Sequence, residues 1–184
     1  MENKIWITSD LHFGHQKDFL WRPRGFNSIE EHDEEIIKRW NELIDSNDTV
    51  YILGDLMLND NSSGIAKIRK LNGEKHIIIG NHDTETRITL YNSIWDIYSV
   101  EYGKRIRYRG ITFYMSHYPT LTENHDSDKR LKGRVINLCG HSHTTDPFAD
   151  WDKGLIFHTE LDTNDCKPWL LDDIIIKIKE KIND

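Results

Sequence analysis

Gly80-Asn81-His82-Asp83 follows the short apolar run His76-Ile77-Ile78-Ile79, placing an amide, an imidazole and a carboxylate just past a β-prone segment. The same arrangement recurs along the chain. Lys4-Ile5-Trp6-Ile7-Thr8-Ser9 runs into Asp10-Leu11-His12, and Val50-Tyr51-Ile52-Leu53 runs into Gly54-Asp55. Residues 111–116 lead to His117, and residues 134–139 lead to Gly140-His141-Ser142-His143. β-Branched and aromatic content makes each run a predicted strand, so each polar group is delivered at a strand's carboxyl end.

Between the first three runs the pattern turns helical. Ser28 with Glu31 three residues on forms a capping box, and Ile29, Ile36, Ile37, Trp40, Leu43 and Ile44 recur at helical spacing. A helix over residues 28–45 follows. Asn61-Ser62-Ser63 opens another through Ile65, Ile68 and Leu71, closed by Asn72-Gly73. The resulting β-α-β-α-β order favours a parallel sheet with right-handed crossovers, in which sites gather at the carboxyl ends of strands. After a short helix at 84–90 come strands at 95–102, 104–108, 111–116, 134–139 and 155–158. The Ile-rich stretch 170–182 reads as either a helix or a strand, and residues 15–27, with Pro23 and Gly25, as a turn-rich insertion.

At 184 residues and 37% hydrophobic content, the chain fits one globular domain spanning residues 1–184. A formal net charge of −7 gives no general attraction for nucleic acid or an anionic membrane surface. No apolar run approaches the roughly 18 residues of a membrane helix, and the first residues lack a signal-peptide pattern. Two cysteines, Cys139 and Cys166, make no disulfide framework, and Cys139 suits a small buried strand position. A cytoplasmic protein without a membrane partner is expected.

Asp10, His12, Asp55, Asn81, His117, His141 and His143 offer oxygen and imidazole donors without a thiolate. Such a set suits first-row ions, with Mn foremost and Fe, Zn or Ni as alternatives, and not Ca²⁺, which takes oxygen only. Seven donors exceed one tetrahedral ion and match two sharing a carboxylate. Two ions about 3.5–4 Å apart acidify a bridging water from a pKa of 15.7 toward about 7, giving a hydroxide nucleophile for a phosphate ester. His82, adjacent to a donor without needing to be one, is the candidate acid for the leaving oxygen. Asp83 could orient its ring or stabilise the turn.

The ordered set resembles the calcineurin-like metallophosphoesterase superfamily, with Asp10-Leu11-His12, Gly54-Asp55, Gly80-Asn81-His82-Asp83, His117 and Gly140-His141-Ser142-His143 as the matching motifs. Asp10 to His15, Arg22-Pro23, Trp40-Asn41 and Ser116-His117-Tyr118-Pro119 further resemble the small phosphoesterases of bacteria and their phages. The resemblance implies a four-layer α/β sandwich of two mixed sheets flanked by helices. It implies one metal at Asp10, His12, Asp55 and His143 and a second at Asp55, Asn81, His117 and His141, with Asp55 bridging. It also implies His82 as acid and phosphate binder.

With no room for a large cap domain, substrate choice falls to the loops 14–27, 117–134 and 144–154. Arg22 and Arg24 are candidate clamps for a second phosphate or a carboxylate, and His15 for a hydrogen bond to substrate. Arg87 and His125 are weaker candidates, and Trp151 could stack on a base or pack within its loop. The expected activity is a phosphodiesterase on a small nucleotide or cyclic nucleotide. Its rivals are a phosphomonoesterase or protein phosphatase, a nuclease, which the acidic charge disfavours, and a non-catalytic metal-binding scaffold.

Overall fold

A computed structural model describes residues 3–122 and 131–183. β1 (Ile5–Thr8), β2 (Thr49–Ile52), β3 (Glu74–Ile78) and β4 (Ile97–Glu101) lie parallel in a five-stranded sheet of order β4-β3-β2-β1-β9, and β9 (Trp169–Leu170) closes it antiparallel. Both faces of this sheet are covered, which is why its strands read as nearly continuous apolar runs. Trp6, Val50, Ile52 and Ile77 pack on one side in a core shared with Ile36 and Trp40 of α2 (Ile29–Leu43), Ile65 and Ile68 of α3 (Asn61–Ile68) and Tyr91 of α4 (Glu85–Tyr91). The other side, with Ile7, Tyr51, Leu53 and Ile78, meets a second sheet. A one-turn helix, α1 (Asp18–Trp21), interrupts the insertion after β1.

The second sheet holds β5 (Lys104–Tyr108), β6 (Ile111–Met115), β7 (Val135–Cys139) and β8 (Ile156–His158) in that order. Its first pair is antiparallel and the other two parallel, so both sheets are mixed. α5 (Trp151–Gly154) leads into β8, and α6 (Leu171–Asn183) follows β9 directly. The ambiguous 170–182 stretch is thus helical from Leu171. Leu171, Ile174, Ile175 and Ile178 make a stripe at i, i+3, i+4 and i+7 buried in the inter-sheet core, while Asp172 and Asp173 in the first turn and Lys181 in the last suit the helix dipole.

Other expected bounds shift by a residue or two for local reasons. Ser28 caps α2 by accepting the Glu31 N–H at 3.1 Å, whereas the Glu31 carboxylate takes the N–H of Asn27 at 2.8 Å. α2 ends at Leu43 because Ile44 turns extended and buries. β4 begins at Ile97 because the preceding Asp96 is drawn to the buried Lys75, whose ammonium also donates to Leu71 O and Gly73 O. No helix among the described residues is long and apolar enough to cross a membrane.

Candidate active site

The loops leaving β1 and β2 are laced together by main chain: Asp10 N–H donates to Gly54 O and His12 N–H to Asp55 O, both at 3.0 Å. Asp10, His12, Asp55, His141 and His143 all adopt positive φ, from 49° to 78°. Non-glycine residues in that region store roughly 1–3 kcal/mol each and persist only where their surroundings over-determine them. Here the restraint is visible, since His141 N–H donates to Asp10 Oδ2 at 2.9 Å and His82 N–H to Asp55 Oδ1 at 2.9 Å. Two motif glycines are explained by the same crowding. A Cβ on Gly80 would collide with the Asp55 carboxylate, and one on Gly140 with that of Asp10.

The structure brings all seven expected donors together in two clusters. In the first, Asp10 Oδ1 lies 3.6 Å from His12 Nε2 and 3.7 Å from His143 Nε2, with the two imidazole nitrogens 3.0 Å apart. In the second, Asn81 Oδ1 lies 2.8 Å from His117 Nε2 and 2.9 Å from His141 Nδ1. Asp55 Oδ2 stands between them, 3.8 Å from His12 Nε2 and 3.6 Å from His117 Nε2. Two triads, Asp10 with His12 and His143, and Asp10 with Asp55 and His117, each present donor atoms within 4.8 Å of one another.

These side chains fit cations better than they fit each other. His117 Nδ1 donates to Leu53 O at 2.8 Å, so in the neutral ring the Nε2 lone pair faces the lone pairs of Asn81 Oδ1. His143 likewise turns Nδ1 to Asp162 Oδ2 at 3.2 Å, leaving Nε2 for the cleft. This carboxylate or carbonyl partner behind the imidazole is the usual support of a metal-binding histidine. Asp10 Oδ1, which faces the cluster, is buried without a hydrogen-bond partner among the described residues, whereas the unpartnered nitrogen of His12 is Nδ1, not the Nε2 that meets the cluster. The protonation balance points the same way. Burial holds His12 down at about 4, and the histidines around Asp10 outweigh burial to keep its carboxyl at about 2. Burial, with the Asp10 and Asp83 carboxylates, pushes Asp55 up to about 6, a cost that nearby cations would remove.

His82 borders this cleft with its side chain 45% exposed, Nε2 3.9 Å from Asp55 Oδ2 and its ring edge-on to His12. Of the two roles open to Asp83, orienting the ring or stabilising the turn, its contacts support the second. Asp83 Oδ2 accepts the N–H groups of Gly80 and Asp55, both at 2.9 Å, and Oδ1 accepts the Tyr91 hydroxyl at 2.7 Å. Among the described residues its hydrogen-bond partners do not include the His82 ring, and it pins the loop after β3 to the loop after β2. Arg87 supports His82 instead, through the His82 carbonyl, while its Nε donates to Asn61 Oδ1.

Arg24 is also corrected as a substrate clamp. Its guanidinium is buried, forks onto Asp162 at 2.9 and 2.7 Å, donates to Asp10 O at 2.9 Å and faces His32 Nε2 at 3.0 Å. With four of its five N–H groups engaged by protein, it braces the loop that carries Asp10. Arg22 is 70% exposed, pairs with Asp18 across one helical turn, and joins neither cluster. His15 stays close, edge-on to His12 at 5.7 Å and to Phe19 at 5.2 Å. Trp151 packs in the inter-sheet core and Cys139 is buried in β7. His125 lies outside the described residues.

Two supporting carboxylates were not anticipated. Asp162 holds both His143 and Arg24, and nothing local marks it among 31 acidic residues. Glu160 accepts the Ser142 N–H at 3.0 Å and faces His158 Nδ1 at 3.1 Å, while His158 Nε2 faces Asp150 at 3.1 Å. Glu160 did carry a signal, since it closes another strand-like run, 155–158, as the other site residues do.

The domain model of the calcineurin-like phosphoesterase superfamily matches residues 4–158. An uncharacterized protein of Methanocaldococcus jannaschii is 31% identical over 185 residues, covering 97% of this chain and 92% of the relative. The gene 66 protein of Mycobacterium phage L5 is 29% identical over 167 residues, 77% of this chain and 78% of the relative. Among solved structures, a protein of unknown function from Aquifex aeolicus aligns with a TM-score of 0.70 at 21% identity, covering 94% of this chain and 98% of that one, a likeness of fold.

Proposed function

The chain belongs to the calcineurin-like phosphoesterase superfamily, and from that premise we propose that it is a two-metal phosphodiesterase acting on small nucleotides or cyclic nucleotides, with His82 as general acid. The observation that carries this reading is Asp55 Oδ2, within 3.6–3.9 Å of His12, His117 and His82 and so common to both donor clusters and the candidate acid. Asp10, His12, Asp55 and His143 would hold one ion, and Asp55, Asn81, His117 and His141 the other. Bound there, the ions, Mn foremost, would supply an acidified water and offset the charge that grows on the phosphoryl oxygens. The chain itself does the rest. Its buried wall fixes the donors, and the half-exposed His82 ring, 3.9 Å from the shared Asp55 carboxylate, supports its reading as the acid for the departing oxygen.

The test is hydrolysis of bis-p-nitrophenyl phosphate against p-nitrophenyl phosphate by metal-stripped protein, with and without added Mn²⁺. Diester turnover that needs the ion is the expected result. Turnover of the monoester alone would put a phosphomonoesterase in its place, and no turnover of either with ion bound would favour a binding scaffold.

A further inference from the structure

A pocket of about 420 Å³ opens beside His143, between Phe19, Leu20 and Pro23 of the insertion after β1 and Thr145, Asp162 and Asp165 on the opposite side. That volume lies within the roughly 300–1,000 Å³ of ordinary ligand sites. The pocket shares His143 with the first donor cluster and so borders the proposed reaction centre, within reach of a substituent on an ester held there. Phe19 is 69% exposed, yet it is not a stray surface ring. His15 meets it edge-on at 5.2 Å and in turn meets His12 edge-on at 5.7 Å, which ties the pocket wall to the donor cluster.

The lining also sets a charge preference. Arg24 is the only cation in it among the described residues, and its guanidinium is neutralised by the forked Asp162 and largely consumed by protein acceptors. The Thr145 hydroxyl and the Asp165 carboxylate offer oxygen acceptors; Asp165 Oδ2 takes the Lys167 ammonium at 2.9 Å, and Oδ1, 3.7 Å from Arg39, keeps lone pairs for a ligand. A flat group with N–H donors on its edge matches that surface. A second phosphate or a carboxylate does not.

Resting on the phosphodiesterase reading above, we infer that this pocket receives one nucleoside of the diester, its amino-bearing base against Phe19, and excludes a second anionic group. The test begins with calorimetric titration of the metal-stripped full chain with adenosine and with benzoate, which is flat but anionic. Adenosine is expected to bind and benzoate not to. Phe19→Ala should weaken adenosine about tenfold or more, the scale of a lost base–aromatic stack, and Phe19→Tyr should restore it. Benzoate binding as tightly as adenosine, or an adenosine affinity unmoved in Phe19→Ala, would overturn the inference. Since this titration needs neither metal nor turnover, it reads the pocket separately from the activity. In Mn²⁺-loaded protein, adenosine should compete with bis-p-nitrophenyl phosphate; binding without competition would put the pocket off the substrate's path and also overturn the inference.

Discussion

The cleft has two unlike walls. Asp10, His12, Asp55 and His117 are all at most 3% exposed, and main-chain hydrogen bonds between neighbouring strand ends fix most of them. Asn81, His82, His141 and His143 are exposed and lean on side chains from outside their own loops. His143 leans on Asp162, the Gly140–His143 loop on Glu160, and His82 on Arg87. The difference teaches a division of labour: backbone at the strand ends holds four of the seven candidate cation donors, while the other three and the candidate acid face solvent and lean mostly on side-chain supports. Substitutions on the buried wall should therefore abolish function, and those behind the open wall should tune it.

The largest effect is expected at Asp55, the carboxylate common to both clusters. Asp55→Asn should lower the Mn²⁺-dependent diesterase rate by more than about 10³-fold, beyond the loss of a single charge-stabilising donor, with the circular dichroism spectrum retained. A rate within tenfold of the parent would break the assignment. On the open wall, His82→Ala should cost roughly 10²–10⁴-fold on diesters with alkoxide leaving groups. On p-nitrophenyl esters, whose leaving oxygen needs no proton, it should cost far less. Equal losses on both would show that His82 binds phosphate and does not act as an acid.

Asp162→Asn tests the support behind the open wall. Removing the partner of a metal-binding imidazole typically costs about 10–100-fold in metal affinity or activity, measurable by Mn²⁺ titration. The same change leaves the buried Arg24 guanidinium without its fork, a loss of roughly 3–5 kcal/mol for a broken buried pair. Its pH dependence has a definite sign. Burial alone would raise the Asp162 carboxyl, but His143 and Arg24 pull it well below its ordinary 3.8, so its stabilisation is complete above about pH 4 and is lost as pH falls further. Acid unfolding curves of the parent and Asp162→Asn should converge at the acid end; parallel curves would remove the charge pair from the account.

What was legible in the sequence divides between donors and supports. The donors of both walls could be read because they follow strand-like runs, and because parallel strands covered on both faces leave continuous apolar stretches. The motif glycines carried information too, since Gly80 and Gly140 are forced by carboxylates packed against them. Supports such as Asp162 could not be read, because they arise from packing between segments apart in the chain. Asp83 follows His82 in sequence, yet its carboxylate is drawn under the turn by three donors, Gly80, Asp55 and Tyr91. Ile174, Ile175 and Ile176 suit a strand or a helix equally, and only the buried stripe from Leu171 to Ile178 decides.

Arg22 and Arg24 sharpen the comparison at its smallest expected effect. Two residues apart in one insertion, they had identical chemistry in the sequence and the same expected role. In the structure one side chain is 70% exposed and the other 1%. Arg22 pairs with Asp18 at 3.4 Å on the surface, where such pairs contribute about 0–1 kcal/mol, so Arg22→Ala should change stability by no more than about 0.5 kcal/mol and the diesterase rate by less than about twofold. Arg24→Ala, by contrast, should lower the melting temperature as Asp162→Asn does, because it strands the other half of the same buried pair. A large rise in KM in Arg22→Ala, with its melting temperature unchanged, would restore this residue as a substrate contact and extend the open wall into the insertion after β1.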